Sequence, residues 1–294
     1  MVLVVFNRPE LTARVLARIR DARPETLFVV ADGPRADRPG EVDKCRQVRA
    51  LIERGIDWPC EVIRDYSDVN LGCGVRPETG IAHAFDLFEE AIILEDDCLP
   101  DLTFFRYCSE LLDTYRGDAR IGQIGGTTFR QGPLPSGESY YWSQYPHCWG
   151  WATWRRAWRL YDHSMAGWRE VLQERAAAGA LSSMREHAYW NHVFAATQDD
   201  RLAAWDYRWV VALWKHRCLS AIPSVNLVEN IGTGPDATHT VGRSTPGAGA
   251  MVFPMRPPAS LDRDAGADIE VGRSVFRLPS LADRLARRLR LWMY

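Results

Sequence analysis

The chain has 294 residues, of which 46% are hydrophobic and 25% charged, and its formal net charge is −2. This composition is typical of a globular protein and excludes a disordered, collagen-like or coiled-coil chain. The near-neutral balance provides no field for holding nucleic acid, and the sequence has no run of 18 apolar residues that would form a spanning helix. At about 150 residues per domain, the length predicts one large or two small domains.

Seven cysteines are scattered along the chain without a C-x-x-C pair. This pattern favours free thiols in a reducing compartment over a disulfide framework or a zinc site. The apolar run before Asn7 is too short for a signal peptide and has no basic start. We therefore expect a first strand there and a cytoplasmic protein.

The first 115 residues alternate apolar runs with segments of helical spacing. Strands are predicted at 1–6, 27–31, 60–63 and 91–94, and helices at 9–19, 42–52, 81–88 and 104–115. Because each strand is apolar throughout, the sequence predicts an α/β fold with a mainly parallel sheet that helices cover on both faces.

The second half is rich in aromatic residues. Short strands are predicted at 140–142 and 218–222, and helical regions from Trp149 onward and over 184–214. Residues 232–249 predict a mobile loop or lid, and 256–276 predict loose order. The tryptophans most simply pack in a core, although an open subset would also suit stacking on sugar rings.

A short amphipathic helix is predicted at the end of the chain. Its apolar stripe is accompanied by a basic side, formed by Arg284, Arg287, Arg288 and Arg290. Such a helix suits peripheral contact with the inner face of an anionic membrane. It would equally dock on the protein's own core or on a second subunit.

Polar clusters follow three of the predicted strands directly. They are Asn7-Arg8, Asp32-Gly33 and Glu95-Asp96-Asp97. In open α/β sheets, ligands bind beyond the carboxyl ends of the strands. The sequence therefore predicts a binding site at this edge.

The acidic triplet is the strongest local signal. Three consecutive carboxylates at the end of a buried strand repel one another, and desolvation raises their pKa values. A divalent cation with oxygen ligands, Mn²⁺ or Mg²⁺, would remove that conflict and bridge a diphosphate. The alternative is a solvated acidic turn.

Other candidates each have a structural alternative. Asp32 would accept the imide hydrogen of a uracil or form a simple turn, and Arg8 would meet a nucleotide phosphate or only precede a helix that begins at Pro9. Asp206, between two aromatic residues, would be a general base, a helix cap or a salt-bridge partner. His239 would contact metal or phosphate, or lie at the surface.

With these residues in hand, the chain resembles nucleotide-sugar glycosyltransferases of the GT-A (Rossmann-like) fold, in particular bacterial family-2-like nucleotide-diphospho-sugar transferases. The resemblance runs from residue 2 to about 240 through "VVFNRPELTARVL", "FVVADGPR", "NLGCGVR", "AIILEDDCLPDLTFFRYCSELL", "YPHCWGWATWRRAW" and "NLVENIGTGPDATHT". A more distant similarity is to the N-acetylglucosaminyltransferase I group, whose E-D-D-L motif has Cys98 at its fourth position here.

The resemblance implies a role for each matching residue. Asp97 would bind Mn²⁺, Glu95 and Asp96 would face the ribose and the metal's water shell, and Asp32 would hold the uracil. The family's W-D-D-W segment corresponds to residues 205–209, where Tyr207 replaces the second aspartate, so Asp206 is the predicted base. His239 would close over the diphosphate, and Arg76 would contact phosphate.

The resemblance also implies an organisation and partners. Residues 1–126 would bind the nucleotide sugar, 127–255 would form the aromatic-rich acceptor half of the same domain, and 256–294 would form a tail. The donor would be a UDP-sugar, the acceptor a glycan or lipid-linked hydroxyl in cell-surface glycan synthesis, and transfer would invert the anomeric carbon. A homo-oligomer is compatible with the sequence.

Two other classes of protein remain open. A sugar nucleotidyltransferase would share the sheet and the acidic metal site, but would normally need a glycine-rich basic loop after the first strand, where this chain has Asn7-Arg8-Pro9. A non-catalytic carbohydrate-binding protein would use a tryptophan surface without metal or nucleotide.

Overall fold

A computed structural model of the chain describes residues 1–132, 134, 137–233 and 247–276. Its strands are β1 (Val2–Val5), β2 (Thr26–Ala31), β3 (Glu61–Tyr66), β4 (Glu90–Glu95), β5 (Cys98–Pro100), β6 (Ile121–Gly125), β7 (Tyr140–Ser143), β8 (Trp151–Trp154), β9 (Leu219–Pro223) and β10 (Val228–Asn230). Its helices are α1 (Pro9–Ala22), α2 (Glu41–Gly55), α3 (Arg76–Leu87), α4 (Thr103–Thr114), α5 (Arg155–Trp158), α6 (Trp168–Ala177), α7 (Met184–Gln198), α8 (Trp205–Lys215) and α9 (Ala265–Ser274).

Over these residues, eight strands form one sheet in the order β3-β2-β1-β4-β8-β6-β9-β7. The first four are parallel, and β8 is antiparallel to both of its neighbours. β5 and β10 form a separate antiparallel pair next to the acidic triplet. This architecture confirms the predicted α/β fold class, with a mainly parallel sheet flanked by helices.

The two faces of the parallel strands are covered by different helices. Leu3 and Val29 face the core formed with α1, α2 and α4. Val4 and Phe28 face the opposite core, formed with α3 and α8. Because successive strand residues point to opposite faces, an apolar strand contributes to both cores. The predicted strands and helices of the first 115 residues are confirmed within a few residues at each end.

The tryptophans form cores rather than a surface. Of the eleven in the described ranges, ten are buried and Trp149 is half-buried. Trp168, Trp190 and Trp214 belong to a cluster around α6, α7 and α8. The expectation of core packing is therefore confirmed.

One secondary-structure prediction in this half is wrong. The segment from Trp149 was expected to open a helix, but Trp151–Trp154 is strand β8, and a helix begins only at Arg155. Trp151 packs in one core while Ala152 and Trp154 pack in the other. This alternation suits a strand buried on both faces, and aromatic side chains favour that environment.

Residues 256–276 are also more ordered than predicted. Helix α9 begins after Asp264, whose side chain accepts a hydrogen bond from Ala267 N. Asp268 is buried and accepts a 2.6 Å hydrogen bond from Ser143 Oγ on β7. A cap and one buried polar contact therefore order a segment with little apolar periodicity.

All seven cysteines are free thiols. Among the described helices, none has the length and apolar character needed to cross a bilayer. The terminal helix predicted around 281–292, His239 and most of the 232–249 loop lie outside the described residues.

Candidate active site

Three strand ends meet at the carboxyl edge of the parallel sheet. β1 lies between β2 and β4, with Val5 beside Ala31 and Val4 beside Glu95. Asp32 directly follows β2, and Asp96 and Asp97 directly follow β4. The structure thus brings together the three polar clusters that the sequence placed after separate strands.

Arg8 bridges two of the carboxylates. Its guanidinium donates to Asp97 Oδ2 at 2.9 Å and also to Asp96 Oδ1. The other oxygen of Asp96 accepts a 3.3 Å hydrogen bond from Phe6 N. Burial lowers the pKa of Arg8, but the adjacent Asp96 and Asp97 outweigh it and raise the pKa above its ordinary value. Arg8 is therefore the counter-ion of this acidic pair.

Two carboxyl groups of the triplet, those of Glu95 and Asp96, have raised pKa values. Burial, with the charges of Asp97 and Asp96, raises the pKa of Glu95 to about 8. Burial also raises the pKa of Asp96 to about 6, although Arg8 opposes the shift. Burial and mutual repulsion therefore make Glu95 and Asp96 harder to ionise than ordinary carboxyl groups.

The carboxylates of the acidic triplet are potential oxygen ligands for a cation. The backbone at Gly232 lies close to one of them, Asp97. A side chain at Gly232 would overlap Asp97 Oδ2, so the glycine forms a cradle against this carboxylate. Carboxylate oxygens are suitable ligands for Mn²⁺ or Mg²⁺. Among the described residues no three His, Cys, Asp or Glu side chains converge on one metal position, and His239 lies beyond them. The metal centre stays a prediction.

Asp32 anchors the loop that follows β3. It is buried, and its Oδ1 accepts hydrogen bonds from Gly33 N and Leu71 N, both at 2.9 Å. Its Oδ2 accepts from Gly72 N at 2.9 Å and Asn70 Nδ2 at 3.0 Å. These contacts give the carboxylate a structural role, and its contact with a uracil stays a prediction.

Asn7 and Arg76 also contact the protein framework. Asn7 Nδ2 donates to Glu41 Oε1 at 2.8 Å. Arg76, at the start of α3, is buried and pairs with Asp65 Oδ1 at 2.9 Å. Arg76 therefore joins the ends of β2 and β3, since it also donates to Ala31 O at 3.3 Å, whereas Asn7 contacts the first residue of α2. The predicted contacts of both residues with nucleotide stay predictions.

Asp206 lies in the first turn of α8. After the dominant effect of burial, the charges of both Asp206 and Glu95 raise the pKa values of the Cys73 and Cys148 thiols. Asp206 also contributes to the raised pKa of Glu95. The Asp206 carboxylate is therefore within electrostatic range of Glu95, and its role as a base stays a prediction.

The sequence did not single out Cys73, Cys148 or Gly232 as site residues. The Cys73 thiol is within electrostatic range of Asp32, Glu95 and Asp206, and it donates to Ala203 O at 3.2 Å. Its one sequence signal is its place between Gly72 and Gly74. Cys148 and Gly232 have no local signal, because their proximity to the triplet depends on β8 and β10.

No protein-family model matches the chain, and neither does any curated protein. Among solved structures, it is similar to 4-diphosphocytidyl-2C-methyl-D-erythritol synthase from Anaerococcus prevotii, with 7% identity over 54% of this chain and 74% of that one and a TM-score of 0.34. It is also similar to HddC from Yersinia pseudotuberculosis, with 10% identity over 53% and 77% and a TM-score of 0.32. Likeness at this level says nothing about the chemistry of the site.

Proposed function

We propose that this protein transfers a sugar from a nucleotide-diphosphate donor, with a UDP-sugar favoured, to a hydroxyl acceptor. The observation that carries the proposal is the arrangement of charge at the carboxyl edge of the sheet. Asp96, Asp97 and Arg8 lie at the ends of β4 and β1, and Asp206 lies within electrostatic range of Glu95 from α8. A phosphate-binding centre and a base are the two groups that such a transfer needs.

In this proposal the chain's own residues divide the chemistry. Arg8 supplies a guanidinium for the diphosphate, and Asp206 accepts the proton of the acceptor hydroxyl as it attacks the anomeric carbon opposite the leaving group, with inversion. Asp97, with His239, would hold Mn²⁺ or Mg²⁺, which when bound stabilises the charge of the departing diphosphate.

The donor and acceptor assignments extend the same proposal. Asp32 would recognise uracil, while Asn7, Arg76, Glu95 and Asp96 would line the nucleotide side. The acceptor would be a glycan or a lipid-linked hydroxyl used in cell-surface glycan synthesis. Peripheral membrane contact through the terminal helix and a homo-oligomer belong to the proposal as well.

Thermal unfolding with UDP and Mn²⁺ tests the binding half of the proposal. We expect UDP and Mn²⁺ together to raise the melting temperature more than the sum of either alone, because a ligand that binds only the native state stabilises it. The exposed-site variant Asp113→Asn is a matched control that should behave like the wild type, since Asp113 is on the outer face of α4. Equal shifts for UDP with and without Mn²⁺ would contradict the metal assignment.

A sugar nucleotidyltransferase is the second candidate, because the acidic triplet beside β1 would equally suit its metal-bound nucleotide. The loop after β1 weighs against it, since Asn7 and Arg8 contact Glu41, Asp96 and Asp97 and the chain enters α1 at Pro9. The products separate the two: a nucleotidyltransferase releases pyrophosphate from a nucleoside triphosphate and a sugar phosphate, and a glycosyltransferase releases a nucleoside diphosphate.

A carbohydrate-binding protein that uses a tryptophan surface has less support. Among the described tryptophans, Trp149 is half-buried and all the others are buried. A tryptophan platform for sugar stacking would need several such rings at the surface. This candidate predicts glycan binding without nucleotide or metal.

A further inference from the structure

Arg8 covers the acidic pair on its solvent side. The side chain of Arg8 is 23% exposed, whereas those of Asp96 and Asp97 are 3% and 10% exposed. One terminal nitrogen of the guanidinium donates a hydrogen bond to Asp97, and the other donates one to Asp96. A cation that binds Asp97 Oδ2 would therefore have to share this oxygen with Arg8 or displace it.

Removing Arg8 from this position has an electrostatic consequence. A buried carboxylate without a counter-ion is strongly unfavourable, so the guanidinium can leave Asp97 only when another cation replaces it. The released guanidinium in turn needs an anion, and a planar guanidinium binds phosphate oxygens well through paired hydrogen bonds. A metal-bound diphosphate supplies both: the metal cation replaces Arg8 at Asp97, and the phosphate anion binds the released guanidinium.

We propose that Arg8 and a divalent cation compete for Asp97, and that the diphosphate of the donor relieves this competition by taking up the guanidinium. The inference rests on the proposed function and adds, to the phosphate contact already expected of Arg8, competition with the cation. Arg8 excludes a lone cation from the empty site and becomes a ligand of the diphosphate in the loaded site. Binding of cation and donor is therefore mutually dependent, as thermodynamic linkage requires.

Titration of Mn²⁺ alone, followed by the electron paramagnetic resonance signal of the free ion, tests the competition without any turnover. We expect weak binding to the wild type and binding roughly tenfold or more tighter to Arg8→Gln, the size expected when a charge-assisted hydrogen bond no longer competes. Arg14→Gln, on the exposed side of α1, should match the wild type. Equal Mn²⁺ affinity in Arg8→Gln and wild type would overturn the proposal.

A second titration in saturating UDP tests the exchange of partners. UDP should tighten Mn²⁺ binding roughly tenfold or more in the wild type and much less in Arg8→Gln, where no guanidinium contacts the diphosphate. Equal tightening in both proteins would overturn the exchange. Arg8→Lys, which keeps one charge but not the bidentate geometry, should lie between them, and it provides the comparison if circular dichroism shows that Arg8→Gln is unfolded.

Failure of this inference is distinguishable from failure of the proposed function. The first titration uses neither donor nor acceptor, so it measures the competition even if no sugar is transferred. Absence of sugar transfer with tighter Mn²⁺ binding in Arg8→Gln would contradict the function and leave the competition supported. If the wild type transfers sugar but Arg8→Gln binds Mn²⁺ no more tightly than the wild type, the function would be supported and the competition contradicted.

Discussion

Asp96 and Asp97 are buried carboxylates whose charge Arg8 balances, and this pairing dominates the site at the scale of single residues. Asp97 Oδ2 lies 2.9 Å from Arg8 on one side and against the Cβ-free face of Gly232 on the other. Substitution of this one oxygen-rich side chain should therefore affect ligand binding far more than folding.

Asp97→Asn should abolish Mn²⁺-dependent binding of UDP while the protein stays folded. The amide has no negative charge for a cation, and the lost ion pair with Arg8 is offset by relief of repulsion from Asp96. Calorimetric titration of UDP in saturating Mn²⁺ measures the effect, with Asp113→Asn as the matched carboxylate-to-amide control. Unchanged UDP affinity in Asp97→Asn would count against the assignment.

Asp206→Asn should keep UDP and metal binding and lose transfer. A missing general base raises the barrier rather than weakening ground-state binding, so kcat should fall by ~10²–10⁴. Steady-state kinetics at saturating donor measure this loss, and the donor KM should stay near the wild-type value. Normal turnover would place the base elsewhere, and Asp199, Asp200 and Asp236 would be tested next.

The sequence predicted that three polar clusters would meet at one edge of the sheet, but it did not predict how their side chains pair. Arg8 and Asp97 are 89 positions apart, and no local pattern indicates that they form an ion pair. The pair exists because the register of β1 on β4 places Val4 beside Glu95. Likewise, the turn residues around Asp32 were recognisable, but its hydrogen bonds to residues 70–72 depend on how the loop after β3 folds back.

At the scale of elements, the loop over residues 70–74 depends on the strand end that holds it. Asp32 accepts the Leu71 and Gly72 amides, and Gly74 lies close to the backbone of Ala203 just before α8. Through this loop, Asp32 connects the end of β2 to the segment that precedes α8, the helix that carries Asp206.

Asp32→Ala should destabilise the protein by about 1–3 kcal/mol, because the backbone N–H groups of Gly33, Leu71 and Gly72 lose their acceptor. Urea unfolding measures the change. The control is Asp37→Ala, at an exposed residue between β2 and α2, which should change stability by less than about 0.5 kcal/mol. If Asp32→Ala leaves stability unchanged but weakens UDP binding, Asp32 contacts the uracil and does not stabilise the 70–74 loop.

Helix α9 gives a pH-dependent prediction. Burial raises the pKa of Asp268 to about 6, above the value near 4 of an unfolded aspartate. The native state therefore binds a proton more tightly, and its stability falls as pH rises from about 4 to 6. Relative to Asp268→Asn, the wild type should lose about 2–3 kcal/mol between pH 4 and 7, measured by urea unfolding at each pH. Parallel stability profiles for the two proteins would contradict this.

The elements that sequence patterns failed to predict share a physical cause. β8 is a short strand buried on both faces, so its tryptophans at positions 151 and 154 imitate helical spacing. α9 is ordered by a cap and by the contact of Asp268 with Ser143, 125 residues away. A continuous apolar run such as β1 and a helix with apolar residues at helical spacing such as α1 carry their signal locally, and both were predicted well.

At the scale of the whole molecule, one sheet unites both halves of the chain. β8, from the aromatic-rich half, pairs with β4 along Glu90 to Ile93, and β10 pairs with β5 directly after the acidic triplet. The proposed nucleotide and acceptor sides are therefore parts of one framework, so a change at the acidic triplet and a change at Asp206 should affect the same reaction.

The most direct test of the central claim is a screen of nucleotide sugars for donor hydrolysis, read by mass spectrometry of the nucleotide product with and without Mn²⁺. Water replaces the acceptor in this assay, so the acceptor need not be known. We predict that at least one UDP-sugar is cleaved to UDP and free sugar only when Mn²⁺ is present, and that Asp97→Asn is inactive. Pyrophosphate release from a nucleoside triphosphate and a sugar phosphate, with no nucleotide sugar cleaved, would contradict the account.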